Sequence, residues 1–139
     1  MMHPAAIASV GLALAGLAAC GAADEAGAPD ENFAPDYRGA EVRMLDAELI
    51  QVLVAMKGAR GIADVEDHAR CVAAGQAQAR GQGFLRHLRT NVARRTGLWQ
   101  GDAIYTMSAA LPRGLRTIDA AVTVRDCRKQ GIPTIRRSA

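Results

Sequence analysis

The stretch from Phe84 to Arg95 is the richest in groups able to do chemistry. Arg86, Arg89, Arg94 and Arg95 fall among twelve residues that include no acid. A guanidinium is a rigid fork of donors that matches phosphate and carboxylate oxygens two bonds at a time. Read as a β-strand, the stretch puts His87, Arg89, Asn91 and Arg95 on one face at period two. The expectation is a face that binds an anion or a partner; solvated arginines kept for solubility are the plainer reading. Arg113 and Arg116, in the segment Pro112-Arg113-Gly114-Leu115-Arg116, form a second partner candidate because loops carry recognition.

Catalytic chemistry finds little support. Nucleophilic catalysis asks for Ser or Cys, a base and an orienting acid in one place. Beyond Ser9 the serines are Ser108 and Ser138, and neither sits in Gly-x-Ser-x-Gly. His87 has the chemistry of a base but no motif around it. His68 follows Glu66 and Asp67 and reads as a surface residue. Glu66 and Asp67 are neighbours on a helix, so their carboxylates diverge, and they suit its positive end. Trp99 and Tyr105 read as core or rim packing. No C-x-x-C or H-x-x-x-H spacing occurs, so neither a metal nor a cofactor is expected. The protein reads as non-enzymatic.

These residues must be positioned by a small set of elements. Glu48 to Lys57 alternates Ile50, Val52, Val54 and Met56 against Leu49, Leu53 and Ala55, which predicts a strand that could begin at Val42. Asp64 is an expected N-cap for a helix from Val65 to about Arg80, with a stripe of Val65, Ala69, Val72, Gln76 and Ala79. Gly81 and Gly83 end it. Phe84 to Arg95 follows as a strand, with Phe84, Leu88 and Val92 on its inward face, then a turn at Thr96-Gly97. Ala103 to Ser108 and Thr117 to Arg125 complete the strands. The predicted class is α+β: an antiparallel sheet of about four strands, in the order strand-helix-strand-strand-strand, with one helix on one face.

Ala5 to Ala19 is apolar or small apart from Ser9 and closes on Leu17-Ala18-Ala19-Cys20. A spanning helix needs ~20 apolar residues, so this stretch is short for one. The tetrapeptide resembles the lipobox of bacterial lipoprotein precursors. The resemblance implies a signal peptide over residues 1–19, cleavage before Cys20, and acylation of that cysteine as a membrane anchor. Gly21 stands where an Asp tends to hold Gram-negative lipoproteins in the inner membrane, which implies the outer membrane, facing the periplasm. Lipidation of Cys20 would leave Cys71 and Cys127 as an even pair. An oxidising compartment permits a disulfide between them; two unpaired buried thiols are the other reading.

Charge divides the chain. Residues 20–37 hold Asp24, Glu25, Asp30, Glu31 and Asp36 and no basic residue, whereas residues 38–139 hold all 17 basic residues and nine of the 14 acids, a net of +8. The domain layout expected is a lipidated Cys20 with an acidic tether over 20–40, one α+β domain over 41–135 and a tail at 136–139. A basic exported domain suits an anionic lipid, a polysaccharide or an envelope protein partner, and the compartment argues against nucleic acid. Over about residues 44–127, the strand, the helix ending at Gly81-Gln82-Gly83-Phe84 and the hairpins resemble small uncharacterised proteobacterial envelope lipoproteins. In outline they are also similar to outer-membrane stress-sensor lipoproteins. The expected function is therefore a basic surface held at the envelope. A stress sensor or adaptor with a redox-sensitive disulfide is the alternative, and an enzyme of unknown type comes third.

Overall fold

Two β-hairpins flank a long helix, and a second helix closes the chain. The computed structural model describes residue 2, residues 30–114 and residues 116–135. Cys20, the signal-like segment and the tail at 136–139 lie outside the described residues. In chain order the elements are β1 (Asp36–Met44), β2 (Leu49–Lys57), α1 (Ile62–Ala79), β3 (Phe84–Arg95), β4 (Leu98–Ser108), β5 (Thr117–Asp119) and α2 (Ala120–Gln130). Every strand pairing is antiparallel, in the order β1-β2-β4-β3-β5. The α+β class matches the sequence reading, with five strands in place of about four and a second helix.

The turns follow from local chemistry. Between β1 and β2 the Leu45 N–H donates to the Leu49 carbonyl at 2.8 Å, and Asp46 Oδ1 accepts from the Glu48 N–H at 3.0 Å. Between β3 and β4, Thr96 and Gly97 have φ of 48° and 80°. Two consecutive positive φ values are what a type I′ hairpin turn demands.

The core lies between α1 and one face of the sheet. Ile50, Val52, Val54 and Met56 are buried along β2, as their spacing predicts. Their partners on β4 are Tyr105, Ala103, Gly101 and Trp99. Helix α1 approaches closely because its buried side chains are mostly small: Val65, Ala69, Val72, Ala73 and Ala77. Gly101 completes the fit, since a Cβ there would stand 2.7 Å from Val65 Cγ1. Each fully buried Val, Leu, Ile or Met contributes about 1.5–3 kcal/mol.

The structure corrects four expectations. The strand that could begin at Val42 is two strands, and the acidic tether gives way at Asp36 to β1. Arg38 is an extra residue between Tyr37 and Gly39, so the register shifts there and the inward set Tyr37, Ala40 and Val42 breaks period two. Helix α1 starts at Ile62 with Gly61 as N-cap. Asp64 sits in its first turn instead, accepting from the Arg60 backbone N–H at 2.7 Å and from its guanidinium at 2.8 and 3.0 Å.

The third correction concerns Thr117 to Arg125. Only Thr117–Asp119 is strand, and the rest begins α2. Ala120 and Val124 fit a period of two and a period of four equally well. The end signals decide: Asp119 Oδ1 accepts from the Val122 N–H at 3.0 Å, Arg128 and Lys129 occupy the last turn, and Gly131 takes φ 72° beyond it. Cys127 therefore rides on α2, not on a strand tail. It is bonded to Cys71 on α1, with Cα atoms 5.9 Å apart.

The fourth concerns His68. It is buried at 1 % exposure, not on the surface. Its ring meets Tyr37 edge-on at a centroid distance of 4.7 Å. The residue follows Val65 by three positions and precedes Val72 by four, which places it on the core-facing stripe. The strand that covers it, β1, is the one the alternation concealed.

Candidate functional site

The arginine-rich strand β3 is present as expected, but its faces divide differently. His87 pairs with Tyr105 and Arg89 with Ile104, so Leu88 is an extra residue between them. Such a bulge reverses which side chains point where. Leu85 is buried in place of Leu88, which is 51 % exposed. Upstream of the bulge, His87 joins Tyr105 on the side that carries α1. Downstream, Arg89, Asn91 and Arg95 oppose Ile104, Asp102 and Leu98 on the other side. The four residues expected on one face are thus split, three to one.

On the side away from α1, pairing groups Arg86, Arg89 and Arg95 with the apolar Leu49, Leu53, Leu98 and Ile104. Within this sheet the charges are treated unequally. Arg38 and Arg43, on β1, are ion-paired to Asp36 and Glu41 at 2.6 and 2.8 Å. Arg89 and Arg95, on β3, enter none of the ion pairs among the described residues. Arg86 donates to the carbonyl of Arg113, tying that loop to the strand edge. Arg94 lies across the Trp99 ring, 4.9 Å from its centroid. Asp102, the acid nearest the middle of this face, accepts from Gln51 Nε2 at 3.0 Å. The result is a mixed face on β2 and β4, each cross-strand pair setting an apolar residue beside a polar one, bordered along β3 by Arg89 and Arg95, which no ion pair among the described residues takes up.

The remaining expected residues fall elsewhere. Arg113 is exposed and Arg116 lies beside β5. On β5, Ile118 pairs with buried Leu85, so Arg116, two residues earlier, shares the α1 side. There Glu66, Arg70, His87, Tyr105, Arg116, Thr117 and Ile118 line a cleft of about 280 Å³. His87 Nε2 stands 2.7 Å from Thr90 Oγ1, and the His87 ring is 5.2 Å from that of Tyr105. Burial keeps the Tyr105 hydroxyl protonated well above the usual tyrosine range. Asp67 takes up Arg70 at 2.6 Å. Sequence reasoning missed this cleft, because the β3 bulge and the shortness of β5 decide which side chains reach it. Among the described residues no group of three or more His, Cys, Asp or Glu side chains could hold a metal ion. Among them, too, no helix is long and apolar enough to cross a membrane.

The family model of the YNQ4 C-terminal domain matches residues 37–131, from the start of β1 to the glycine that ends α2. The chain belongs to this family. By sequence the chain is similar to an uncharacterised 26.9 kDa protein of the nqo8 5′ region of Paracoccus denitrificans, 29 % identical over 104 residues. The alignment covers 70 % of this chain and 41 % of that protein, so the chain spans about two-fifths of its relative's length. No solved structure matches. The matched span includes the bulged strand, the cleft and both bridge cysteines of this YNQ4 domain.

Proposed function

We propose that this YNQ4 domain is a non-enzymatic envelope module, anchored through acylated Cys20, that rests the open face of its sheet on an anionic lipid surface. The observation that carries the reading is the contrast between the ion-paired arginines on β1 and Arg89 and Arg95 on β3, which enter no ion pair among the described residues. Guanidinium groups with no ion-pair partner among the described residues, set along the edge of a sheet face, match the phosphate headgroups of an anionic bilayer. The lipobox-like segment supports the same compartment. The adaptor reading gains less support: Cys71 and Cys127 are 1 % and 3 % exposed, which favours a structural staple over a redox-responsive bond.

The test is co-sedimentation of the full-length protein with phosphatidylglycerol and with phosphatidylcholine vesicles. An acyl anchor acts on both, so the difference between them isolates the basic face. The expected result is a preference for phosphatidylglycerol that disappears in Arg89→Ser/Arg95→Ser. An undiminished preference rejects the proposal.

A further inference from the structure

The cleft on the α1 side of the sheet is separate from the basic face and has a different character. Three strands and a helix converge on it. Glu66 and Arg70 come from successive turns of α1, His87 from β3, Tyr105 from β4, and Arg116 and Ile118 from the β5 edge. Two accidents of register assemble it. The Leu88 bulge turns His87 toward α1, and the parity of β5 turns Arg116 and Ile118 the same way. Tyr105 is buried and Ile118 half-buried, while Glu66, Arg70 and Arg116 are exposed at the mouth. The site therefore has an apolar floor and charged lips.

The charges at those lips balance in a particular way. Arg70 is bonded to Asp67 at 2.6 Å within its own helix, though its charge still reaches the Tyr105 hydroxyl. The lining carries Glu66 as its one negative group, and Arg116 as the positive group that no ion pair among the described residues takes up. A ligand that is purely anionic would sit beside Glu66, and one that is purely cationic beside Arg116. Each would meet a like charge, the arrangement by which proteins reject wrong ligands. A ligand bearing both signs meets an opposite charge at each end. A volume of about 280 Å³ lies at the small end of ligand sites, which run to roughly 300–1,000 Å³, and suits a ligand of few atoms.

We infer that this cleft binds a small zwitterion, with its ammonium group at Glu66, its carboxylate or phosphate at Arg116, and its short apolar body over Tyr105 and Ile118. Guanidinium serves either oxyanion. The chemistry thus covers a free amino acid and an aminoalkyl phosphate such as a lipid headgroup fragment, and the probes must separate them.

The test follows the Tyr105 and His87 resonances of the full-length protein by NMR. The titrants are L-leucine and phosphoethanolamine, with 4-methylpentanoate and 3-methylbutylamine as leucine analogues that each lack one charge. At least one zwitterion should saturate, and the more tightly held one identifies the oxyanion. For a leucine-binding site, each single-charge analogue should bind about tenfold more weakly, the usual cost of losing a bond to a charged group. Glu66→Gln should then erase the discrimination against 4-methylpentanoate, and Arg116→Gln that against 3-methylbutylamine. For a phosphoethanolamine site, Arg116→Gln should abolish saturation and Glu66→Gln should weaken it. Both side chains are exposed, so neither change threatens the fold; an unchanged melting temperature checks this. The inference is overturned if neither zwitterion saturates, if a single-charge analogue binds as well as leucine at a leucine site, or if both variants bind as the parent does.

Discussion

Tyr37 on β1 lies edge-on against His68 on α1, ring centroids 4.7 Å apart, and seals the imidazole inside the core. His68 Nδ1 has no hydrogen-bond partner among the described residues. Burial lowers the pKa of this histidine from 6.5 to about 4. Arg60, Asp64 and Asp67 lie close enough to Tyr37 to act on its hydroxyl, yet they leave desolvation as the cause at His68.

The pH dependence of stability follows from that burial. Below pH 6.5 the unfolded chain takes up a proton that the folded chain refuses until near pH 4. The unfolded state binds more protons across this window, so stability is full above it and falls as the pH drops. The total loss is about 3 kcal/mol. Asp64 acts in a different window: Arg60 holds its carboxylate below 3.8, so its contribution is lost only in stronger acid. Urea denaturation at pH 7.5, 6 and 5 should show a decline in the parent and a nearly flat response in His68→Leu. Parallel declines in the two proteins would remove His68 as the cause.

The Cys71–Cys127 bond joins the two helices and closes a separation of 56 residues. Helix α2 has a short buried stripe, Ala120, Val124 and Cys127, against which to hold its place. A cross-link over such a loop restricts the unfolded chain by about 4 kcal/mol in the chain-entropy model. The Cys71→Ala/Cys127→Ala protein should lose stability of that order in urea titration. Its α2 amides should exchange with deuterium faster than those of β2. Unaltered exchange in α2 would show that packing alone secures the helix.

Some of this was written plainly in the chain and some was not. Strand β2 was legible because Ile50, Val52, Val54 and Met56 are buried in unbroken alternation. The Thr96-Gly97 turn was legible for a similar local reason, and the α1 stripe in part: Val65, Ala69 and Val72 are buried, whereas Gln76 is half-buried and Ala79 exposed. Strand β1 and the faces of β3 were hidden by single extra residues, Arg38 and Leu88, whose effect depends on the partner strand. Helix α2 was signalled by Asp119, Arg128, Lys129 and Gly131, but the Ile118-Ala120-Val122-Val124 alternation outweighed those marks. The basic surface was half legible: Arg89, Asn91 and Arg95 stay together, and His87 leaves them. The cleft was not legible at all, because its lining comes from α1, β3, β4 and β5.

Gly75 marks a backbone crossing. A Cβ at this position would stand 1.6 Å from the carbonyl oxygen of Thr134, in the segment that follows α2. No rotamer relieves a clash with backbone, so Gly75→Ala must push that segment off α1. Overpacking of this kind costs about 1–3 kcal/mol. Amide exchange should rise at Ile132, Thr134 and Ile135, with a fall in melting temperature. Gly83→Ala is the control, since its Cβ would meet only the Ala109 carbonyl at an ordinary 3.7 Å. Equal effects from the two substitutions would mean that the crossing is not where the strain lies.

The unequal treatment of arginines on β1 and β3 yields the last prediction. An arginine near an anionic bilayer contributes about 1 kcal/mol, so losing Arg89 and Arg95 together should weaken phosphatidylglycerol binding roughly 30-fold. The parent's affinity should fall steeply between 50 and 200 mM salt, as screening shortens the reach of exposed charge, and the variant should respond less. Glu41→Gln/Arg43→Gln removes an ion pair with a 2.8 Å contact from β1 without changing net charge. It should leave both affinity and salt response as they were. If this pair matters as much as Arg89 and Arg95, bulk charge and not the β3 border is what the membrane senses.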